Sequence, residues 1–398
     1  LPRERALTLR SFYFPASKKL IDRCLVAWMP GPNSYTGEDS IEIYPHGGDA
    51  VFQSFFQALI SFSNVRYAEQ GEFSKRAIIN GKIDLVQAEA VNDLINSQTE
   101  KQRELAIRQY NKRLSVPVNK WRKEIIKCMA LIEANIDFSD ENDTPDSLNI
   151  IKELLKLKRE IRNALKNKDH YELVNEGIRV VFKGRPNVGK SSIFNSIIRK
   201  QKAIVSKTPG TTRDIIEGKI NFKGNAIIFY DTAGITITDD NVEREGIKRT
   251  KKLLREADII LNIAENEKFL TKHNNKNEWL ILNKIDINKG FKNNLGHKFI
   301  PVSAKTGEGL QNLLDKICDE IMKRTKKLNI HKDVIINLRQ ASELKEAEFN
   351  VSQAIKETSD EIIGEYLRQA NRSLERIIGN IDVEDVLGNI FSNFCIGK

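Results

Sequence analysis

The sequence predicts an α/β unit inserted into an all-α bundle, with a smaller mixed α/β module in front of it. Three observations predict this. Between residues 178 and 198 a short apolar run, a glycine-rich turn and an apolar-periodic stretch follow one another. On both sides of that region apolar residues recur at helical spacing over long segments. In the first 82 residues, short β-branched and aromatic runs alternate with Pro- and Gly-rich turns.

The inserted unit starts with Ile178, Val180, Val181 and Phe182, which read as a buried strand, and continues into a helix through Ile193, Phe194, Ile197 and Ile198. Gly184, Gly189, Lys190 and Ser191 between them form the pattern G-x-x-x-x-G-K-S of a phosphate-binding loop. Glycines let backbone N–H groups curl around a β-phosphate, and the helix N-terminus adds its positive dipole end. Lys190 is placed to reach the β- and γ-phosphates, and the Ser191 hydroxyl to take a position on Mg²⁺.

The 398 residues suffice for two or three domains, each with its own core. Charged residues make up 30% and hydrophobic ones 40%, an ordinary soluble composition. No uninterrupted apolar run reaches the length of a membrane span, and no signal-peptide pattern is visible, so no membrane association is expected. Cys24, Cys128, Cys318 and Cys395 lie far apart, without metal-ligand or disulfide-framework spacing, and a reducing cytoplasm is expected. The formal charge of +10 suits a nucleic-acid partner, but a lysine-rich coding bias suits it equally, and charge alone leaves both open.

In chain order, residues 1–82 form the α/β module, with strands at Leu25–Trp28 and Ile41–Tyr44 and a helix carrying Val51, Phe55, Leu59 and Ile60. Residues 83–177 read as the first part of the helical domain. Its stripes are Leu85, Ala88, Val91, Ile95; then Val118, Trp121, Ile125, Cys128, Ile132, Ile136; then Ile151, Leu155, Ile161, Leu165. An acidic loop, Asp137 to Asp146, separates the last two. The inserted unit covers 178–326. Residues 327–398 return to helix with Val334, Leu338, Ala341, Leu344, then Ile363, Leu367, Ala370, Leu374, Ile378, and a last helix after Asp382 carrying Val386, Leu387, Ile390 and Phe391. An insertion of this kind can pass motion to the bundle through its two connections.

Further short stretches follow the phosphate loop in order. Gly210-Thr211-Thr212-Arg213-Asp214 reads as a switch segment whose Thr hydroxyl is a second Mg²⁺ ligand. Asp231-Thr232-Ala233-Gly234 follows the strand Ile227–Tyr230, with Asp231 touching Mg²⁺ through water and the Gly234 N–H sensing the γ-phosphate. Asn283-Lys284-Ile285-Asp286 follows the strand Trp279–Leu282. A carboxylate such as Asp286 accepts hydrogen bonds from the guanine N1–H and 2-amino group, which adenine lacks. Ser303-Ala304-Lys305 closes over the base edge. Together these predict a Ras-like GTP-binding domain. Ile235 stands where many GTPases carry a water-orienting glutamine, and it cannot orient water. Glu243, Glu245, or a monovalent cation held by Asn187 are the candidates to supply that help; on sequence physics alone Glu243 reads rather as a solvated helix carboxylate.

The motifs GRPNVGKSS, GTTRD, DTAG and NKID, with PGPNSYTGED, HGG, GEFSKRAIINGKIDLVQAEA and the terminal FCIGK, resemble the MnmE (TrmE) family of tRNA-modifying GTPases over nearly the whole chain. The resemblance implies a potassium-stimulated GTPase that dimerises through an aminomethyltransferase-like N-terminal domain. That domain is expected to bind a tetrahydrofolate derivative (5,10-methylene or 5-formyl). It also implies a flavoprotein partner, MnmG (GidA), carrying FAD and using NADH in a heterotetramer or larger complex. The pair adds an aminomethyl or carboxymethylaminomethyl group to carbon 5 of the wobble uridine of certain tRNAs.

By the same resemblance the nucleotide is held by Asn187, Val188, Gly189, Lys190, Ser191 and Ser192. The remaining contacts fall on Ser206, Lys207, Thr208, Pro209, Gly210, Thr211 and Thr212, then Asp231, Thr232, Ala233 and Gly234, and finally Asn283, Lys284, Ile285, Asp286, Ser303, Ala304 and Lys305. Ser191 and Thr212 fall on Mg²⁺ positions; Asn187, Ser206, Thr208 and Thr211 fall on K⁺ positions. Glu243 lies where the family places the carboxylate that positions water. Glu42, Lys82 and Lys398 match folate-contact positions. Cys395 matches the cysteine of the family's C-terminal motif, which is often proposed to act in the modification chemistry; on the residues alone it reads as a buried helix-end thiol, since no base or cation is visible to deprotonate it. Two departures stand out. The family's first strand and glycine-rich segment, with a folate-contacting arginine, have no counterpart before Leu1, so an incomplete front module is expected. Lys207 replaces a frequent acidic residue, and weaker K⁺ affinity is expected.

Two other readings are a ribosome-assembly GTPase switch and a GTP-binding scaffold without modification activity. The first expects an RNA-binding module with a basic G-x-x-G loop after residue 326, which the sequence lacks.

Overall fold

The structure is a computed structural model that describes residues 2–137, 147–201, 216–231, 251–266, 277–287, 299–325 and 334–380. The acidic stretch from 138 to 146 and the helix expected after Asp382 lie outside the described residues. In chain order the elements are β1 (Thr8–Tyr13), β2 (Leu20–Met29), β3 (Ser40–Tyr44), α1 (Asp49–Ile60), α2 (Glu72–Ile79), α3 (Leu85–Asn96), α4 (Glu100–Tyr110), α5 (Ser115–Asp137), α6 (Ser147–Leu165) and α7 (Lys168–Asn175). There follow β4 (Ile178–Lys183), α8 (Lys190–Lys200), β5 (Ile216–Phe222), β6 (Asn225–Asp231), β7 (Ile259–Ala264), β8 (Glu278–Leu282), β9 (Ile300–Pro301), α9 (Leu310–Thr325), α10 (Leu338–Ala354) and α11 (Asp360–Ile378).

The described residues divide into two compact units. One comprises residues up to Asn92, Arg108–Arg159 and those from Ser342 on; the other comprises Asp93–Ile107 and Glu160–Ala341.

In the first unit, β1, β2 and β3 form an antiparallel sheet in that order. Both strands expected from sequence are present, within β2 and β3. β1 is an addition. Its Thr-Leu-Arg-Ser-Phe-Tyr run puts one polar or charged residue beside each apolar one on either face, so no apolar alternation marks it. Cys24 and Val26 of β2 are buried, and Phe12 meets Phe55 of α1 edge-on at 5.2 Å.

α2 is tied down by Glu72. Its carboxylate accepts from Arg66 Nη2 at 2.8 Å, Arg76 Nη2 at 2.7 Å and the Glu69 N–H at 2.8 Å. The Arg66 hydrogen bond leads, with the Glu69 amide and Arg76 behind it, in holding this carboxyl at a pKa of about 2. A depressed carboxylate stabilises the fold fully above its unfolded pKa, and that contribution drains away as pH falls through its folded value. Glu72→Gln is therefore expected to cost about 1–2 kcal/mol at pH 7, the half-exposed arginines being screened. The gap to wild type should close between about pH 4.5 and 2. Urea unfolding across that range checks it; a gap independent of pH would contradict the assignment.

The helices of this unit bury most of the stripes that the sequence marked, with Leu59 and Ile60 of α1 and Ile136 of α5 left exposed. α5 buries Val118, Trp121, Ile125, Cys128 and Ile132, and α11 buries Leu367, Ala370, Leu374 and Ile378. Arg122 of α5 pairs with Glu375 of α11, and Arg376 of α11 pairs with Glu343 of α10 at 2.9 Å.

Other details also differ from expectation, Ile95 at the end of α3 being exposed as well. In α6, Ile151 and Leu155 are exposed, whereas Ile150, Leu154, Leu157, Ile161 and Ala164 are buried. The pairs Ile150-Ile151 and Leu154-Leu155 offer two adjacent apolar stripes, and Leu157 and Ala164 complete only the first. Val334 precedes α10 rather than lying in it, and Leu338 opens that helix exposed at 60%.

The second unit is a six-stranded sheet in the order β5-β6-β4-β7-β8-β9, parallel except for β5. Runs such as Ile178-Arg-Val-Val-Phe and Ile259 to Ala264 are buried on both faces, as parallel strands require. One face packs Ile178, Val180 and Phe182 against Ile193, Phe194 and Ile197 of α8 and Leu310, Leu313 and Ile317 of α9. The other carries Val181 and Ile260 against Ala257, Leu253 and Leu254. Strand order reverses about β4, so the crevice at its carboxyl end is where such a sheet binds a ligand.

Candidate nucleotide site

β4 delivers the chain to that crevice, and α8 leaves it. Gly189 caps α8 at φ +94°, a left-handed conformation that aims the first N–H groups of the helix into the loop. Asn187 also adopts a left-handed conformation, at φ +64°, and is exposed at the loop tip. Lys190 is 7% exposed and curls back over the loop, donating from Nζ to the carbonyl oxygens of Gly184 at 3.0 Å and Arg185 at 2.9 Å. Burial lowers its pKa, and the Asp231 charge opposes that shift. Asp231 ends β6 fully buried and close enough to act on Lys190. Ser191, the second residue of α8, is partly buried, and Ser192 next to it is exposed. A buried carboxylate and a hydroxyl flanking a phosphate loop are hard oxygen donors, and they fit Mg²⁺.

The base motif is bolted to this loop. Asn283 leaves β8 buried, donating from Nδ2 to the Val188 carbonyl at 2.9 Å and accepting the Ala304 N–H on Oδ1 at 3.2 Å. One amide thus fastens phosphate loop, base loop and the Ser303–Lys305 turn together. Ser303, buried, donates from Oγ to Asp286 Oδ1 at 2.7 Å and accepts the Thr306 N–H at 3.2 Å. That hydroxyl lowers the Asp286 pKa, keeping the carboxylate an acceptor, as recognition of guanine requires. Ile285 is buried and anchors the loop, whereas Lys305 is exposed at its rim. Lys284, at φ +64°, reaches from Nζ toward the Asn187 carbonyl at 3.4 Å and pairs with Glu265 at 2.5 Å. Sequence reasoning missed Glu265, because no motif includes it.

The structure therefore brings together Asn187 to Ser192, Asp231, Asn283 to Asp286 and Ser303 to Lys305. Ser206 to Thr212, Thr232 to Gly234, Glu243, Cys395 and Lys398 lie outside the described residues. Glu42 is on β3, exposed and accepting from the Tyr44 hydroxyl, and Lys82 is exposed in the turn after α2.

Residues 1–82 match the family profile of the GTP-binding protein TrmE N-terminus, and residues 85–395 match that of the MnmE helical domain. The chain belongs to the MnmE family. The tRNA modification GTPase MnmE of Beijerinckia indica is 37% identical over 402 residues, spanning all of this chain and 88% of that protein. Those of Agrobacterium fabrum and Rickettsia prowazekii are each 38% identical over 412 residues and 99% of this chain. Among solved structures, the G domain of the T. maritima FeoB iron transporter aligns with 36% of this chain at 27% identity and a TM-score of 0.26. Among the described residues, no helix is long and apolar enough to cross a membrane.

Proposed function

We propose that this chain is a cytoplasmic, homodimeric, K⁺-stimulated GTPase. With a flavoprotein partner of the MnmG (GidA) type, it modifies carbon 5 of the wobble uridine of certain tRNAs using a tetrahydrofolate one-carbon unit. The observation that carries the GTPase part is the Asn283 bridge, which sets a guanine-reading carboxylate at a fixed reach from a phosphate loop. The tRNA part rests on kinship along nearly the whole of this chain with relatives named tRNA modification GTPases.

In this reading the α8 N-terminus and Lys190 bind the β- and γ-phosphates of GTP, Lys190 exchanging its two loop carbonyls for phosphate oxygens. Asp286 accepts from the guanine N1–H and 2-amino group, and Ser303 orients it. Ser191 and Thr212 would hold Mg²⁺, with Asp231 behind its water; the ion supplies charge neutralisation at the β- and γ-oxygens. Asn187, Ser206, Thr208 and Thr211 would hold K⁺, whose charge offsets what develops on the leaving phosphate; Asn187, exposed in the phosphate loop with a side-chain carbonyl oxygen, fits that use. Glu243 positions the attacking water in place of the missing glutamine. Glu42, Lys82 and Lys398 contact the folate, Cys395 serves the modification chemistry, and the partner's FAD and NADH supply the redox step.

The test is reconstitution. The purified chain, the FAD-loaded flavoprotein, NADH, GTP, methylene-tetrahydrofolate, a nitrogen donor (ammonium in one arm, glycine in another) and unmodified tRNA are combined, and the tRNA nucleosides are analysed by mass spectrometry. The expected product is a uridine enlarged at carbon 5 only when GTP and folate are both present. Hydrolysis of GTP with no modified uridine, in an assay where a known relative succeeds, would favour the scaffold reading.

A further inference from the structure

Glu265 stands one residue beyond β7, at the mouth of the crevice, and neither a motif nor the chemistry above uses it. Its Oε2 lies 2.5 Å from Lys284 Nζ, with the two side chains 45% and 38% exposed. The same ammonium is 3.4 Å from the carbonyl oxygen of Asn187. Lys284 itself sits between Asn283, whose amide holds the Val188 carbonyl, and Asp286. The lysine stem consequently runs from the base loop across to the phosphate loop. A base read by Asp286 has to lie against that stem.

We infer that Glu265 is a positioning residue for the guanine nucleotide: it pins the Lys284 ammonium, so that the stem is already laid across the floor of the base site before the nucleotide arrives. A free lysine has a long flexible stem, and ordering it on binding opposes affinity. Pinning it beforehand removes that opposition, which is the usual gain of preorganisation. The interaction is with the base end of the site, so it strengthens GTP and GDP binding alike and leaves the chemical step alone. Such uniform binding shows in KM and Kd rather than in kcat. The pair is half exposed, so salt should weaken it.

The inference rests on guanine nucleotide binding at this site. Its test uses the full chain, with Kd for a fluorescent GDP and steady-state GTP hydrolysis measured for wild type, Glu265→Gln, Glu265→Asp, Lys284→Met and the double variant Glu265→Gln/Lys284→Met. For Glu265→Gln, KM and Kd are expected to rise about two- to fivefold with kcat unchanged. Glu265→Asp should fall between it and wild type. In the Lys284→Met background, Glu265→Gln should add nothing, since the group it pins is gone. Raising NaCl at a fixed KCl concentration should shrink the difference in Kd between wild type and Glu265→Gln. An unchanged Kd in Glu265→Gln, with wild-type thermal unfolding, would overturn the inference alone, and a tighter one would overturn it by showing that Glu265 draws the lysine off the base. An equal loss in the Lys284→Met background would overturn it too. Wild type that binds neither GDP nor GTP would overturn the inference together with the GTPase reading.

Discussion

Gly189→Ala is expected to abolish GTP binding, with affinity falling by more than about a hundredfold. An added Cβ would stand 2.2 Å from Asn283 Nδ2, far inside contact distance, and the residue already sits at φ +94°. The atom struck is the one that donates to the Val188 carbonyl at 2.9 Å. Relief by moving Asn283 also releases the Ala304 N–H from its Oδ1, so the base loop and the closing turn shift with it. Gly224 supplies the control. Its φ of +76° carries the same left-handed strain, but a Cβ there meets nothing within 4 Å. Gly224→Ala should cost only the backbone term, about 1–2 kcal/mol of stability, and leave nucleotide affinity intact. Calorimetric titration with GDP separates them. Equal affinity in the two variants would show that the Asn283 bridge does not organise the site.

The second large effect is expected at Asp286. Asp286→Ala should weaken GTP binding about a hundred- to a thousandfold, because a site built to accept two donors leaves them unpaired once the carboxylate is gone. Its signature lies in the base. Wild type should prefer GTP to ITP, which lacks the 2-amino group, and the variant should bind the two nearly equally. The Ser303 hydroxyl holds the Asp286 pKa below the ordinary carboxylate range, so the acceptor stays charged throughout the neutral region. Wild-type preference for GTP should accordingly be flat from about pH 5.5 to 8 as far as this group is concerned. A variant that still prefers GTP over ITP would move base recognition elsewhere.

What the sequence made legible follows from how the chemistry is distributed along it. The phosphate loop and the base motif are short contiguous runs, each hung on a buried strand, so both residue types and placement can be read directly. The same holds for α5 and α11, whose apolar stripes are unambiguous. Ambiguity starts where two stripes compete, as with Ile150-Ile151 and Leu154-Leu155 in α6, because the helix period admits either until its neighbours decide. β1 escaped because its faces mix polar and apolar residues. Glu265 escaped for a different reason: its partner is 19 residues away, across a strand boundary, and one ion pair leaves no periodic trace. The Asn283 bridge is likewise a tertiary fact. Its motif is visible, yet that its amide grips Val188, 95 residues earlier, is not.

The central claim, a GTPase switch stimulated by K⁺ and served by Glu243, is tested most directly by steady-state GTP hydrolysis in KCl and in NaCl at matched ionic strength, for wild type and Glu243→Ala. The expected result is a rate at least about tenfold higher in KCl for wild type, with Glu243→Ala still binding GTP but retaining under about a hundredth of that rate. Equal, slow rates in both salts, unaltered by the substitution, would contradict it and leave a nucleotide-binding scaffold whose catalytic help comes from elsewhere.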